Sequence, residues 1–157
     1  MRKRGIMGLS FGIIFSIFLI IIFIFFAFKA ITAFTDLNKC VEIGSFYDDF
    51  QEAIDNARES QETLQPFNLN LGQTVDKICF VDLNSTQRGS IPLPDSWAAG
   101  DNFFIMFHEG GCEQVGNNQF ENLNITKITE ILNPYCFENG EEIKIKKTIY
   151  SRLVTLE

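Results

Sequence analysis

From Ile6 to Phe28 the chain reads IMGLSFGIIFSIFLIIIFIFFAF, with hardly a polar position in it. As a helix this stretch spans about 35 Å, enough for a hydrocarbon core of about 30 Å. One transmembrane helix is predicted over residues 6–34, after a short basic segment, residues 1–5. Beyond Lys29 the apolar positions change period, recurring at Ile31, Phe34, Leu37, Val41, Phe46, Phe50, Ile54 and Ala57. Steps of three, four and occasionally five trace one stripe of an amphipathic helix. Asp48, Asp49, Gln51, Glu52, Asp55, Asn56 and Glu59 fill the positions between and form a wet face. The pattern predicts a stalk helix over residues 35–64, loosened near Gly44 and ending at about Glu62, before Pro66 and the cluster Asn68, Asn70, Gly72.

Residues 65–157 carry strand patterns instead. Val75–Leu83 and Glu142–Tyr150 alternate in part, Asn102–Phe107 is a short apolar run, and Ile125–Ile131 suggests a further short strand. Asn139-Gly140, between Phe137 and Ile143, is a strong hairpin signal. The expected class is α+β, with the stalk packed on a small antiparallel sheet. Phe46, Phe50 and Ile54 should share a core with Ile78, Phe80, Phe104 and Ile145, because the sheet's apolar face has no other amphipathic helix to cover it.

Charge divides the chain as sharply as hydropathy does. Twenty-four consecutive residues, Gly5–Phe28, are uncharged, so the 46% hydrophobic content averages two unlike parts. From Asp36 onward there are 9 Lys and Arg against all 20 Asp and Glu, a net of −11 compared with −7 for the whole chain. That excludes an ordinary soluble protein and a nucleic-acid-coating role, which needs a basic face. Arg2-Lys3-Arg4 outweigh Lys29 across the span, so the positive-inside rule places the N-terminus in the cytoplasm and the acidic domain outside. A cleavable secretory signal has a shorter apolar core and a small-x-small exit; Ala27-Phe28-Lys29-Ala30 lacks that exit, and a retained anchor is expected. Gly8 and Gly12 are ordinary membrane-helix composition, with self-association through them a minor option.

Cys40, Cys79, Cys112 and Cys136 contain no C-x-x-C pair, which disfavours zinc. An even count outside an oxidising boundary favours two disulfides over four reduced structural thiols; of the three connectivities, the nearest sequential closures, Cys40 with Cys79 and Cys112 with Cys136, are preferred. Asn84-Ser85-Thr86 and Asn124-Ile125-Thr126 match the N-glycan acceptor pattern, the first in a turn-rich loop. His108-Glu109-Gly110-Gly111-Cys112 is the one local cluster with a base beside a thiol, but a disulfide at Cys112 would remove the nucleophile. Asp48-Asp49 and Glu141-Glu142 read as solvated faces. No catalytic residue, metal site or cofactor is assigned, and the chain is not expected to be an enzyme. The Trp97 loop reads as a core plug before a contact point.

Arg4-Gly5-Ile6-Met7, preceded by Arg2-Lys3 and followed by the apolar helix, resembles the class III signal peptides of archaeal type IV pilins and related envelope proteins. The resemblance implies cleavage between Gly5 and Ile6 by a membrane peptidase, and a mature helix whose second half packs on a small sheet. It covers about the first 60 residues. The fifth residue after the cut would be Ser10, where many pilins place a Glu, so bacterial-style subunit registration is not implied. The pattern of an Arg/Lys-Gly start, Ile/Phe-rich anchor, acidic helix and four-cysteine β domain also looks like single-span archaeal membrane proteins, which implies an envelope location and no activity. The functional expectation is a pilin-like structural or assembly subunit, its partners the membrane, other copies or envelope proteins, and no nucleic acid. A monomeric anchored module that binds a ligand or partner is the alternative.

Overall fold

The computed structural model describes residues 6–93, 100–108, 112 and 115–157, and divides into two compact units, Met1–Asn38 and Lys39–Glu157. Helix α1 runs from Ile6 to Glu59, 54 residues. In the first unit its described side chains are almost all exposed, including Ile13, Phe18, Phe23, Phe26 and Phe34. This helix is long and apolar enough to cross a membrane. In this stretch Ser16 donates to the Gly12 carbonyl at 2.8 Å, Thr32 to that of Lys29 at 3.0 Å and Thr35 to that of Ile31 at 2.9 Å. Such back-bonding removes a polar group that hydrocarbon cannot solvate.

In the second unit α1 buries Ile43, Phe46, Phe50, Ile54 and Ala57, at steps of three and four. The stripe differs from the expected one at its start, because Val41 is 65% exposed and Ile43 takes the inward position. No break occurs at Gly44; a helix hydrogen-bonded on both sides holds it, and helical propensity alone costs only about 1 kcal/mol there. The helix stops at Glu59, earlier than expected, because Ser60 turns back to donate to the Ala57 carbonyl and Thr63 already enters a strand.

Among the described residues seven strands follow: β1 (Thr63–Asn68), β2 (Val75–Phe80), β3 (Phe103–Phe107), β4 (Asn117–Asn118), β5 (Tyr135–Glu138), β6 (Glu142–Lys147) and β7 (Thr155–Leu156). They form two antiparallel sheets rather than one, ordered β1-β6-β7 and β4-β3-β2-β5. β1 falls where the sequence suggested only a break. It is an edge strand, the place where Pro66 can sit without removing a ladder hydrogen bond. Ile125–Ile131 is not a strand: Ile125–Ile128 forms a single helical turn, α2, capped by the Asn124 side chain.

Asn139-Gly140 does reverse the chain, with Gly140 at φ +94°, but it does not make a hairpin. β5 pairs with β2, whereas β6 pairs with β1, so the turn carries the chain from one sheet to the other. Asn139 drives the crossing. Its side chain accepts from Leu71 N at 3.0 Å and donates to the Leu71 carbonyl at 2.8 Å, while Gly140 N donates to the Leu69 carbonyl at 2.9 Å.

The core lies between the inner sheet faces and α1. Phe46, Phe50 and Ile54 join Ile78, Phe80, Phe103, Ile105, Phe137, Ile143 and Ile145 in one buried cluster. Strand alternation corrects one expected member: Phe104 pairs with Cys79 and faces away, into a smaller cluster with Val81. Its neighbour Phe103 points inward instead.

Candidate functional site

Past β2 the chain enters a loop that is held from within by Asn133, only 2% exposed. The Asn133 side chain accepts from Asp82 N at 3.0 Å and donates to the Asp82 carbonyl at 2.8 Å; its backbone exchanges hydrogen bonds with Arg88. A buried amide with both ends satisfied is worth more as an organiser than as a reactant. Opposite this loop stand Gly100–Asn102 and the capped turn of α2. Together they enclose a cleft of about 380 Å³, lined among others by Asp82, Asn84, Asp101, Asn102, Asn124 and Thr126 over an apolar floor of Val81 and Leu123. Asn124 and Leu153 also line a second cleft of about 230 Å³, whose walls include Lys127, Lys146 and Tyr150.

The polar groups of the first cleft are largely committed to the fold. Asp82 accepts from Asn84 N at 2.9 Å through Oδ1 and from the Thr126 hydroxyl at 3.1 Å through Oδ2. Asn102 exchanges two hydrogen bonds with the Phe120 backbone, both 2.8 Å. The Asn124 carbonyl oxygen accepts from Lys127 N at 3.2 Å. Such a surface can hold a ligand through peripheral hydrogen bonds.

All four cysteines are joined, but neither expected pairing forms. The bonds are Cys40–Cys112 and Cys79–Cys136. Strand register overrides proximity in sequence: Cys79 and Cys136 face each other across β2 and β5 with Cα atoms 4.1 Å apart. Cys40 on α1 then closes on Cys112, 5.4 Å away between Cα atoms. Cys112 is therefore no nucleophile. His108 is exposed, its Nε2 lying 3.7 Å from an Asp76 carboxylate oxygen. Asp48, Asp49, Glu141 and Glu142 are exposed, and no His, Cys, Asp and Glu cluster able to hold a metal occurs among the described residues.

Asn84 is exposed on a turn, whereas Asn124 is half-buried as the α2 cap. Ile6 is the first residue of α1. Gly5, Trp97 and Glu109–Gly111 lie outside the described residues. Sequence reasoning read Asn139 only as part of a hairpin turn and missed two further organisers. Asn133 could have been flagged by the Asn-Pro dipeptide, though only as a turn. Tyr47 carried no signal at all: half-buried, it packs edge-on against Phe103 and donates to the Val115 carbonyl. Burial, and next the Asp101 carboxylate, raise its pKa well above the usual tyrosine range.

No protein-family model, curated protein or solved structure matches the chain.

Proposed function

We propose that this protein is a single-span envelope protein with an acidic extracytoplasmic domain, and that it serves as a pilin-like structural or assembly subunit. One observation carries the reading. A single helix, Ile6–Glu59, presents a nearly all-apolar, exposed surface from Gly12 to Phe28 and supplies the core-forming face of an α+β unit with its second half. An apolar face of that size on a soluble monomer is a liability, and a bilayer removes it. Arg2-Lys3-Arg4 support an inside N-terminus, and two disulfides suit an oxidising exterior. The Arg4-Gly5-Ile6-Met7 sequence adds the pilin-like element.

The adjoining clefts favour a second reading, a monomeric anchored module binding a ligand or partner. Intact-mass measurement on protein extracted from its native membrane separates the two. Loss of residues 1–5 supports the pilin-like subunit. Retention of those residues removes its main support and leaves the binding module.

A further inference from the structure

We infer that Asn84 carries an N-linked glycan and that Asn124, although in an equivalent tripeptide, stays bare. The inference rests on the outside orientation proposed above. A glycan acceptor must expose its amide nitrogen, and the sugar it gains must not displace any interaction on which the fold depends.

Asn84 meets both conditions. It is exposed on a turn closed by Ser85 N donating to the Asp82 carbonyl at 3.2 Å, and Thr86 is exposed beside it. Asn133 braces that turn from behind, donating to the Asp82 carbonyl at 2.8 Å and to those of Ser85 and Thr86 at 3.4 Å. Among the described residues the turn is held without the Asn84 side-chain amide: the hydrogen bond from Asn84 to Asp82, 2.9 Å, is made by the Asn84 backbone.

Asn124 fails both. Its side-chain oxygen caps α2 by accepting from Lys127 N at 3.2 Å, and its backbone N donates to the Val154 carbonyl at 2.7 Å. The hydroxyl of Thr126, the group a transferase must recognise, is already donated to Asp82 at 3.1 Å.

The reaction is a group transfer. Asn84 Nδ2 bonds to the anomeric carbon of an oligosaccharide carried on a lipid phosphate or diphosphate. That carbon's bond to the phosphate oxygen breaks, the lipid phosphate leaves with the electron pair, and one amide proton passes to a base on the transferase.

The test uses the full chain from its native membrane, with peptide mapping by mass spectrometry on the parent, Asn84→Gln and Asn124→Gln. The expected result is a glycopeptide at Asn84 in the parent and in Asn124→Gln, and none in Asn84→Gln, whose melting temperature stays near that of the deglycosylated parent. A glycan on Asn124 overturns the inference. So does a bare Asn84 in protein whose acidic domain is open to protease on spheroplasts, which leaves the orientation standing. A bare Asn84 in a protease-protected domain overturns both together.

Discussion

Replacing Phe50 by Ala tests whether α1 is part of the domain or merely leads to it. Phe50 is fully buried, its ring 4.9 Å from Phe67 and 5.0 Å from Phe120 in edge-to-face contact, and stacked at 5.6 Å on Phe46. Removing a buried phenyl group loses its transfer free energy and leaves a cavity, together about 3–5 kcal/mol. The neighbours here, themselves aromatic rings packed against one another, leave little room to collapse into the void, which argues for the upper part of that range. A domain of this size has a total stability of about 5–15 kcal/mol, so the loss should dominate the denaturation midpoint. The assay is urea unfolding of a soluble fragment starting near Asp36, read by tryptophan fluorescence and circular dichroism. Val41→Ala, on the exposed side of the same helix, should change stability by less than about 0.5 kcal/mol. If both variants cost under about 1 kcal/mol, or if a fragment starting near Thr63 unfolds as cooperatively as the longer one, the helix is only a spacer.

Gly44→Ala should stabilise the same fragment by about 0.5–1 kcal/mol, since Gly44 is helical and open space surrounds its Cβ position; a lower denaturation midpoint would contradict this. Nonreducing peptide mapping should recover Cys40 linked to Cys112 and Cys79 linked to Cys136, with no free thiol, and any other pairing refutes the register of β2 against β5. Each bond closes a long loop, of sequence separation 72 and 57, so reduction should cost about 4 kcal/mol per bond by the chain-entropy relation. Tyr47 sets an alkaline limit: its folded pKa lies above the unfolded value of about 10, so its contribution is intact below that pH and is lost as pH rises beyond it. The stability difference between the parent and Tyr47→Phe should therefore be flat to about pH 10 and fall above it, and a constant difference at higher pH would refute the assignment.

The elements legible in the sequence are those whose pattern is settled locally. A helix-period stripe with an acidic counterface gave Phe46, Phe50 and Ile54 as a buried row, and alternation gave Ile78, Phe80 and Ile145. The misses share a cause, the choice of partner. Pro66 and Asn68 read as breakers because nothing local says that β1 has a neighbour on one side only. Asn139-Gly140 encodes a reversal, but the side-chain amide of Asn139 finds Leu71, 68 residues away in sequence, and this sends β6 to a different sheet. A one-residue choice of register decides whether Phe103 or Phe104 meets α1, and an apolar run leaves that choice open. The cysteine pairs follow from that register as well, which is why nearest closure in sequence misled. The cleft was invisible because its walls come from distant segments, Val81–Asn84, Gly100–Asn102, Leu123–Thr126 and Leu153.

The central claim, an acidic domain held outside the membrane by the helix beginning at Ile6, is tested most directly by protease added to intact spheroplasts. Digestion should remove the region from Lys39 to Glu157 and leave a membrane-embedded fragment containing the apolar half of α1. Because the folded, disulfide-bonded unit resists cleavage in part, the assay is run with a reductant as well as without. Loss of the domain from sealed spheroplasts is the predicted result. A domain that survives in sealed spheroplasts under both conditions and is digested only after permeabilisation lies in the cytoplasm, and contradicts it.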